Sequence, residues 1–182
     1  MIYLIITACI HNNYGIIDYE SRKQLYLNSI SQSLLLLPSN IKPIIVEGGI
    51  LTNTYLNNIN VDVVYTGNNS VFQHYKEINE LNDIKHIINK YNIHDDDMII
   101  KLTGRYKVLN DSFYNIVIDN VDKDIIMLHK NDNCFLKMYA IKCKLLKLFT
   151  FTDFTMIPSV EFTTFIHNNV TKDKIVVKEY EI

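Results

Sequence analysis

The residues best suited to chemistry fall in one short segment, Lys101-Leu102-Thr103-Gly104-Arg105-Tyr106. Arg105 follows a glycine in what reads as the loop leaving a strand. There a guanidinium can grip a phosphate pair through two parallel hydrogen bonds. Lys101 stands inside an apolar run, a costly place for a cation unless a partner or ligand compensates it. The bland alternative is a strand residue facing a solvated groove. Asp95, Asp96 and Asp97 would attract a hard divalent ion. They precede the same strand, however, and so sit at its amino end, where a turn of solvated charge is the simpler reading.

Several familiar devices are missing from the chain. It has no G-x-x-x-x-G-K-[S/T], no G-x-G-x-x-G and no G-x-S-x-G, which argues against a P-loop, the usual dinucleotide fingerprint and a hydrolase elbow. Cys-x-x-Cys and His-Glu-x-x-His are absent too, so no zinc motif is read. The three cysteines, Cys9, Cys134 and Cys143, are odd in number and unpaired in spacing, as expected of reduced thiols in a reducing compartment.

Composition narrows the class further. At 182 residues, 48% hydrophobic and 21% charged, the chain suits one globular domain with a sizeable core. A net charge of −2 argues against a dedicated nucleic-acid binder. No run approaches the ~20 apolar residues of a membrane span. The apolar opening Met1 to Ile10 lacks a basic lead-in and a small-residue cleavage site, so it does not read as a signal peptide, and a cytoplasmic location is expected. The chain holds 28 Ile and 21 Asn, the bias an AT-rich genome produces. The Asn-x-Ser/Thr matches at Asn68, Asn110 and Asn169 are therefore attributed to chance.

The elements that must position these residues alternate between strand-like and helix-like patterns. Strands are expected at Tyr3–Cys9, Pro43–Val46, Val61–Tyr65, Asp97–Leu102, Asp124–Leu128, Phe135–Ile141 and Lys174–Tyr180. A Ser21/Gln24 capping box is read as opening a helix to Leu37. Further helices are expected over Val71–Tyr91, Ser112–Ile118, Lys142–Phe149 and Ser159–His167. Apolar strands with intervening helices predict an α/β domain, with a mostly parallel sheet covered on both faces and a mixed carboxyl-terminal extension. All five glycines, Gly15, Gly48, Gly49, Gly67 and Gly104, follow a predicted strand. Any strand-to-helix turn favours glycine, but their joint placement marks one edge of the sheet, where open α/β sheets bind ligands.

Taken together, Thr7 at the first strand exit, Arg22 opening the next helix, Glu47-Gly48-Gly49, Thr66-Gly67-Asn68-Asn69, Lys76-Glu77-Ile78-Asn79-Glu80 and Lys101 to Tyr106 are a familiar order. The chain resembles small GT-A-type glycosyltransferases, particularly short versions encoded by large DNA viruses and found in bacterial polysaccharide clusters. The resemblance covers about residues 1–110 and, loosely, Asp153 to Glu161. It implies one GT-A-like, Rossmann-like domain over 1–182, with a nucleotide-binding part at 1–110 and an acceptor-side part at 111–182. It implies a nucleoside-diphosphate sugar as donor and a glycan or other hydroxyl acceptor as partner, with no nucleic acid and no transmembrane segment.

Carried across residue by residue, the resemblance puts Thr7, Ala8 and Cys9 on the base and ribose, and Arg22 and Arg105 on the diphosphate. Glu47, Gly48 and Thr66, Gly67, Asn68 complete the pocket, Lys76 or Asn79 lies near the donor sugar, and Lys101, Thr103 and Gly104 belong to the same site. GT-A enzymes typically hold Mn²⁺ or Mg²⁺ with Asp-x-Asp after the fourth strand. This chain has Thr103-Gly104-Arg105 there, so cationic side chains are expected to take the ion's role on the leaving diphosphate, with Glu161 and His167 as the remaining metal candidates. An inverting transfer needs a carboxylate base. Asp153 and Glu161 are the candidates, against the alternatives of a turn cap and dipole compensation at a helix start. Lys137, Lys142, Lys144 and Lys147 read as a solvated face sooner than a membrane contact. Two rivals stay open: a non-catalytic nucleotide- or glycan-binding module, and a nucleotidyltransferase, which would need acidic metal ligands at the strand exits.

Overall fold

The computed structural model describes residues 1–10, 18–49, 55–68, 76–130, 133–153 and 155–179. Seven strands form one sheet: β1 (Ile2–Ala8), β2 (Ile41–Glu47), β3 (Asp62–Tyr65), β4 (Met98–Thr103), β5 (Ile125–Lys130), β6 (Asn133–Lys142) and β7 (Ile175–Glu179). Their order is β3-β2-β1-β4-β6-β5-β7. All neighbours pair in parallel except β6, which runs antiparallel to both β4 and β5. The expected mixed extension is thus a single reversed strand. Too few residues separate β5 from β6 for a crossover, so the two can only form a hairpin.

Among the described residues five α-helices cover the sheet: α1 (Tyr19–Leu35), α2 (Lys76–Lys90), α3 (Ser112–Asp119), α4 (Cys143–Leu148) and α5 (Pro158–Asn169). Two apolar clusters lie on its two sides. One packs Tyr3, Ile5, Val46, Ile99 and Tyr139 against α2, α4 and α5. The other packs Leu4, Ile6, Ile45, Ile100 and Ala140 against α1 and α3. The alternation along β1 and β4 follows from the period of two in a strand. It also sends Thr7, Lys101 and Thr103 to the α2 side.

Some boundaries differ from the sequence expectation. The first helix begins at Tyr19 and is capped by Asp18, whose side chain accepts from the Ser21 amide at 2.7 Å. The Ser21/Gln24 capping box does not form, because Ser21 already lies in the first turn. Of the long helix expected from Val71, the portion Lys76–Lys90 is described, and 71–75 lie outside the described residues. Gly15, Asn69 and the end of the last strand at Tyr180 fall outside them as well.

The lysines read as a solvated face are paired. Lys144 meets Asp124 at 3.0 Å, Lys147 meets Asp95 at 2.5 Å, and Lys137 meets Glu77 at 3.7 Å. Lys142 donates to the Asp96 carbonyl at 2.6 Å. Asp95 and Asp96 are exposed at the amino end of β4, as expected, while Asp97 is buried and accepts from the His94 amide. Among the described residues no helix is long and apolar enough to cross a membrane.

Candidate functional site

The strands β1 to β4 end side by side, and their exits are stitched laterally. Gly48 donates its amide to the Ala8 carbonyl at 2.8 Å, Gly104 to the Thr7 carbonyl at 2.8 Å, and Thr66 to the Glu47 carbonyl at 3.0 Å. Two glycines have a stereochemical reason here. Gly67 has φ of 65°, a conformation glycine takes without strain. A Cβ on Gly104 would stand 3.1 Å from Ile6 Cγ2 and from the Thr7 carbonyl oxygen, and 3.2 Å from Tyr26 Cδ1. Gly104 therefore serves close packing of β4 on β1 and α1. That fits the bland reading of this glycine as well as the ligand one.

Above this edge lies a cleft lined by Thr7, Ala8, Cys9, Arg22, Tyr26, Lys76, Glu80, Asp83 and Arg105. It gathers residues from β1, α1, α2 and the β4 exit loop. Arg22 is only 2% exposed. Its Nε donates to the Cys9 carbonyl at 2.7 Å, and its Nη2 lies 3.3 Å from the Tyr26 hydroxyl. That hydroxyl also accepts from the Cys9 amide at 3.1 Å. The spacing of Arg22 and Tyr26, one turn apart, puts both on the same face of α1. Arg22 Nη1 is buried with no hydrogen-bond partner among the described residues, and so is Arg105 Nε. Buried polar groups are ordinarily satisfied, so two such nitrogens in one cleft mark where an acceptor is missing.

The acidic groups of the cleft are already engaged. Glu80 Oε2 meets Lys101 Nζ at 2.6 Å, and Oε1 accepts from the hydroxyls of Thr7 at 3.2 Å and Thr103 at 3.0 Å. Lys101, 2% exposed, also donates to Thr103 Oγ1 at 2.6 Å and to the Leu136 carbonyl at 2.7 Å. Its three protons are spent, and the buried cation has a protein partner. Burial works to raise the Glu80 pKa, but the Lys101 charge outweighs it and holds the carboxyl below its usual range. Asp83, one turn further along α2, accepts from the Thr66 hydroxyl and, at 2.8 Å, from the Asn68 amide. Burial pushes its carboxyl up to about 6 despite those bonds.

Glu47, at the end of β2, is fully buried. Its Oε1 accepts the amides of Ile10 at 3.0 Å and Gly49 at 2.8 Å, and Oε2 accepts the Tyr55 hydroxyl at 3.1 Å. It ties the loops after β1 and β2 together and does not line the cleft. Burial, reinforced by Glu47, pushes the Cys9 thiol up to about 12, which removes it as a nucleophile at neutral pH. Lys76 is exposed at the cleft mouth, and Asn79 is buried on α2.

Asp153 and Glu161 are brought together, and neither lines this cleft. Glu161 Oε1 accepts from the amides of Thr152 at 2.6 Å and Asp153 at 3.2 Å. Asp153 is exposed, and its Oδ1 accepts from the Thr155 amide at 2.8 Å and hydroxyl at 2.6 Å. Asp153 thus makes a turn-capping contact, and Glu161 ties residues 152–153 to α5. Glu161 and His167 are six positions apart on α5, about 120° apart around the helix, so that pair does not converge on an ion. Among the described residues no group of three or more His, Cys, Asp or Glu could hold a metal.

Sequence reasoning missed Tyr26, Glu80 and Asp83 as cleft residues. A signal existed in the polar positions Asn79, Glu80 and Asp83, which interrupt the buried side of α2 one turn apart.

No family model and no curated protein matches the sequence. Solved structures match in shape. A CMP-2-keto-3-deoxy-manno-octonic acid synthetase complexed with CTP aligns with a TM-score of 0.61 at 8% identity, over 99% of this chain and 90% of the other. A putative glucose-1-phosphate thymidylyltransferase from Bacillus anthracis aligns with 0.61 at 9% identity, over 100% and 87%. A glycosyltransferase involved in glycosylating the major capsid of PBCV-1 aligns with 0.50 at 9% identity, over 98% and 82%. At such identities the likeness concerns the fold. The seven-stranded sheet, its one reversed strand and its covering helices make this chain a GT-A-type fold of the kind found in nucleotide-diphospho-sugar transferases.

Proposed function

We propose that the protein is a glycosyltransferase that moves a sugar from a nucleoside-diphosphate sugar to a glycan or other hydroxyl acceptor. The observation that carries this reading is the convergence of Arg22, Lys76 and Arg105 on one strand-exit cleft, with buried nitrogens of both arginines lacking partners among the described residues. A diphosphate supplies the missing acceptors, and guanidinium groups bind its oxygens in pairs. The same cations stabilise the charge that develops on the departing nucleoside diphosphate as the sugar bond breaks.

In this reading residues 1–110 hold the donor. Thr7, Ala8 and Cys9 meet the nucleoside, and Thr66, Gly67, Asn68 and Asp83 close its far side. Glu47 and Gly48 shape the loops above β2, while Lys101, Thr103, Gly104 and Glu80 make the floor rigid. Lys76 and Asn79 face the sugar end. Residues 111–182 form the acceptor side. Asp153 is the candidate base there, because its carboxylate is exposed and the Thr155 hydroxyl bond favours its ionised form.

Thermal-shift measurements with a panel of nucleoside diphosphates and their sugars test the donor site. Folded protein that none of them stabilises would refute it. Turnover by the wild type and by Asp153→Asn tests the base, whose loss should slow transfer at least a hundredfold. A second reading, a binding module that keeps the pocket without turnover, has one observation in its favour: neither Asp153 nor Glu161 lines the cleft. Binding with neither hydrolysis nor transfer across several acceptors would establish it.

A further inference from the structure

The cleft departs from metal-dependent sites of this fold in where its charges stand. A hard divalent cation takes six or more oxygen ligands, with carboxylates prominent among them. In sequence, residues 9–18, 48–54, 66–75 and 104–111 follow β1, β2, β3 and β4. Their carboxylates are Asp18 and Asp111, each one residue before a helix, and they hold His11 and His74. Asp18 is engaged as the cap of α1, accepting from the Ser21 amide.

The carboxylates at this edge that stand on β2 and α2, Glu47, Glu80 and Asp83, are hydrogen-bonded. Glu47 spends Oε1 on two amides and Oε2 on a tyrosine hydroxyl. Glu80 spends both oxygens on Lys101, Thr7 and Thr103. Asp83 Oδ1 takes the Thr66 hydroxyl and the Asn68 amide. All of these donors are N–H or O–H groups of the protein, so these carboxylates already carry partners of their own. Three cations of the cleft, by contrast, carry no carboxylate partner among the described residues. No ion pair of Arg22, Lys76 or Arg105 occurs among the described residues, and Arg22 is 98% buried with Nη1 unpartnered among them.

We infer that Arg22, Lys76 and Arg105 bind the diphosphate of the nucleotide directly, as a cradle of three cations that works without a divalent ion. This rests on the donor-binding reading above and specifies it. Arg22 is the fixed member, held by the Cys9 carbonyl and Tyr26, and it presents Nη1 at the cleft wall. Arg105 presents Nε from the β4 exit, and Lys76 adds a point charge from the first turn of α2. The ion that would otherwise neutralise the two phosphates is replaced by fixed charge. Because Mn²⁺ complexes free diphosphate in solution, adding it should weaken binding or leave it unchanged.

The test is calorimetric titration of the full chain with inorganic pyrophosphate and with the diphosphates of uridine, guanosine, cytidine, adenosine and thymidine. Each is run in EDTA and again with Mn²⁺. Pyrophosphate and at least one nucleoside diphosphate should bind in EDTA, with affinity not improved more than threefold by Mn²⁺. Lys76→Gln and Arg105→Gln, each with an unchanged melting temperature, should weaken pyrophosphate about tenfold. Binding that demands Mn²⁺ overturns the metal-free cradle while leaving the donor site intact. Metal-free binding that neither variant weakens places the anion elsewhere and overturns the assignment. Absence of binding under both conditions removes the donor site and the cradle together.

Discussion

Lys101 Nζ stands 2.6 Å from Glu80 Oε2 beneath the cleft, joining the middle of the sheet to α2 across 21 positions of sequence. A buried pair of this kind does little for net stability, yet removing one partner strands the other charge. Glu80→Ala should therefore cost about 3 kcal/mol, at the lower end of the range for buried pairs because Glu80 keeps some exposure. Replacing both, as Glu80→Leu with Lys101→Met, should recover most of that loss. Urea denaturation of the three proteins decides it, and a Glu80→Ala cost near zero would show that Lys101 has another escape.

Asp83 gives a pH signature. Its carboxyl is raised from an ordinary 3.8 to about 6, chiefly by burial. The folded state thus holds this proton more tightly than the unfolded chain does. Its contribution to stability is fully present below about pH 4 and is lost as pH rises through about 6. Asp83→Asn keeps an oxygen for Thr66 and Asn68 while removing the charge. The variant should match the wild type at pH 4 and exceed it at pH 7, by a margin on the order of 1–3 kcal/mol. An equal difference at both pH values would show that Asp83 is not the titrating group.

Much of this was legible in the chain because strands buried on both faces are written as apolar runs. Ile2 to Ala8 and Met98 to Thr103 are buried throughout, and glycines mark their exits. Arg105 was legible for the same reason: it follows Gly104 at a strand end. Glu80 and Asp83 were not, since a charged residue on an amphipathic helix reads as solvent-facing until its partner is known. That partner lies in β4 for Glu80 and in the turn after β3 for Asp83, and no local pattern encodes either pairing. Arg22 entered only through the resemblance, although its spacing to Tyr26 records the contact.

Gly104 tests how tightly the cleft floor is packed. A methyl there would meet the side chain of Ile6, the Thr7 carbonyl and the Tyr26 ring, all at 3.1–3.2 Å. The carbonyl belongs to β1, paired on both sides within the sheet, and cannot swing aside. Gly104→Ala should cost about 1–3 kcal/mol, the usual range for overpacking. A nucleotide titration of the same variant should show weaker binding, since Arg105 is the next residue. A melting temperature equal to wild type would mean that the β4 exit is looser than the packing implies.

Arg105 separates a ligand role from a structural one. Its backbone carbonyl accepts from the Ser29 hydroxyl at 3.2 Å, which fixes the loop independently of the side chain. Neither Asp111 nor Glu47 forms an ion pair with it among the described residues. Arg105→Ala should therefore leave the melting temperature of the unliganded protein unchanged. Nucleoside-diphosphate affinity should fall by about 1.5–3 kcal/mol, the range for charge-assisted hydrogen bonds. Nucleoside affinity should barely move, because Thr7, Ala8 and Cys9 remain in place. Arg105→Lys should rescue only part of the loss, since an ammonium cannot reproduce the planar fork. Were Arg105 structural, the alanine variant would melt earlier without ligand, and its nucleoside and diphosphate affinities would drop together.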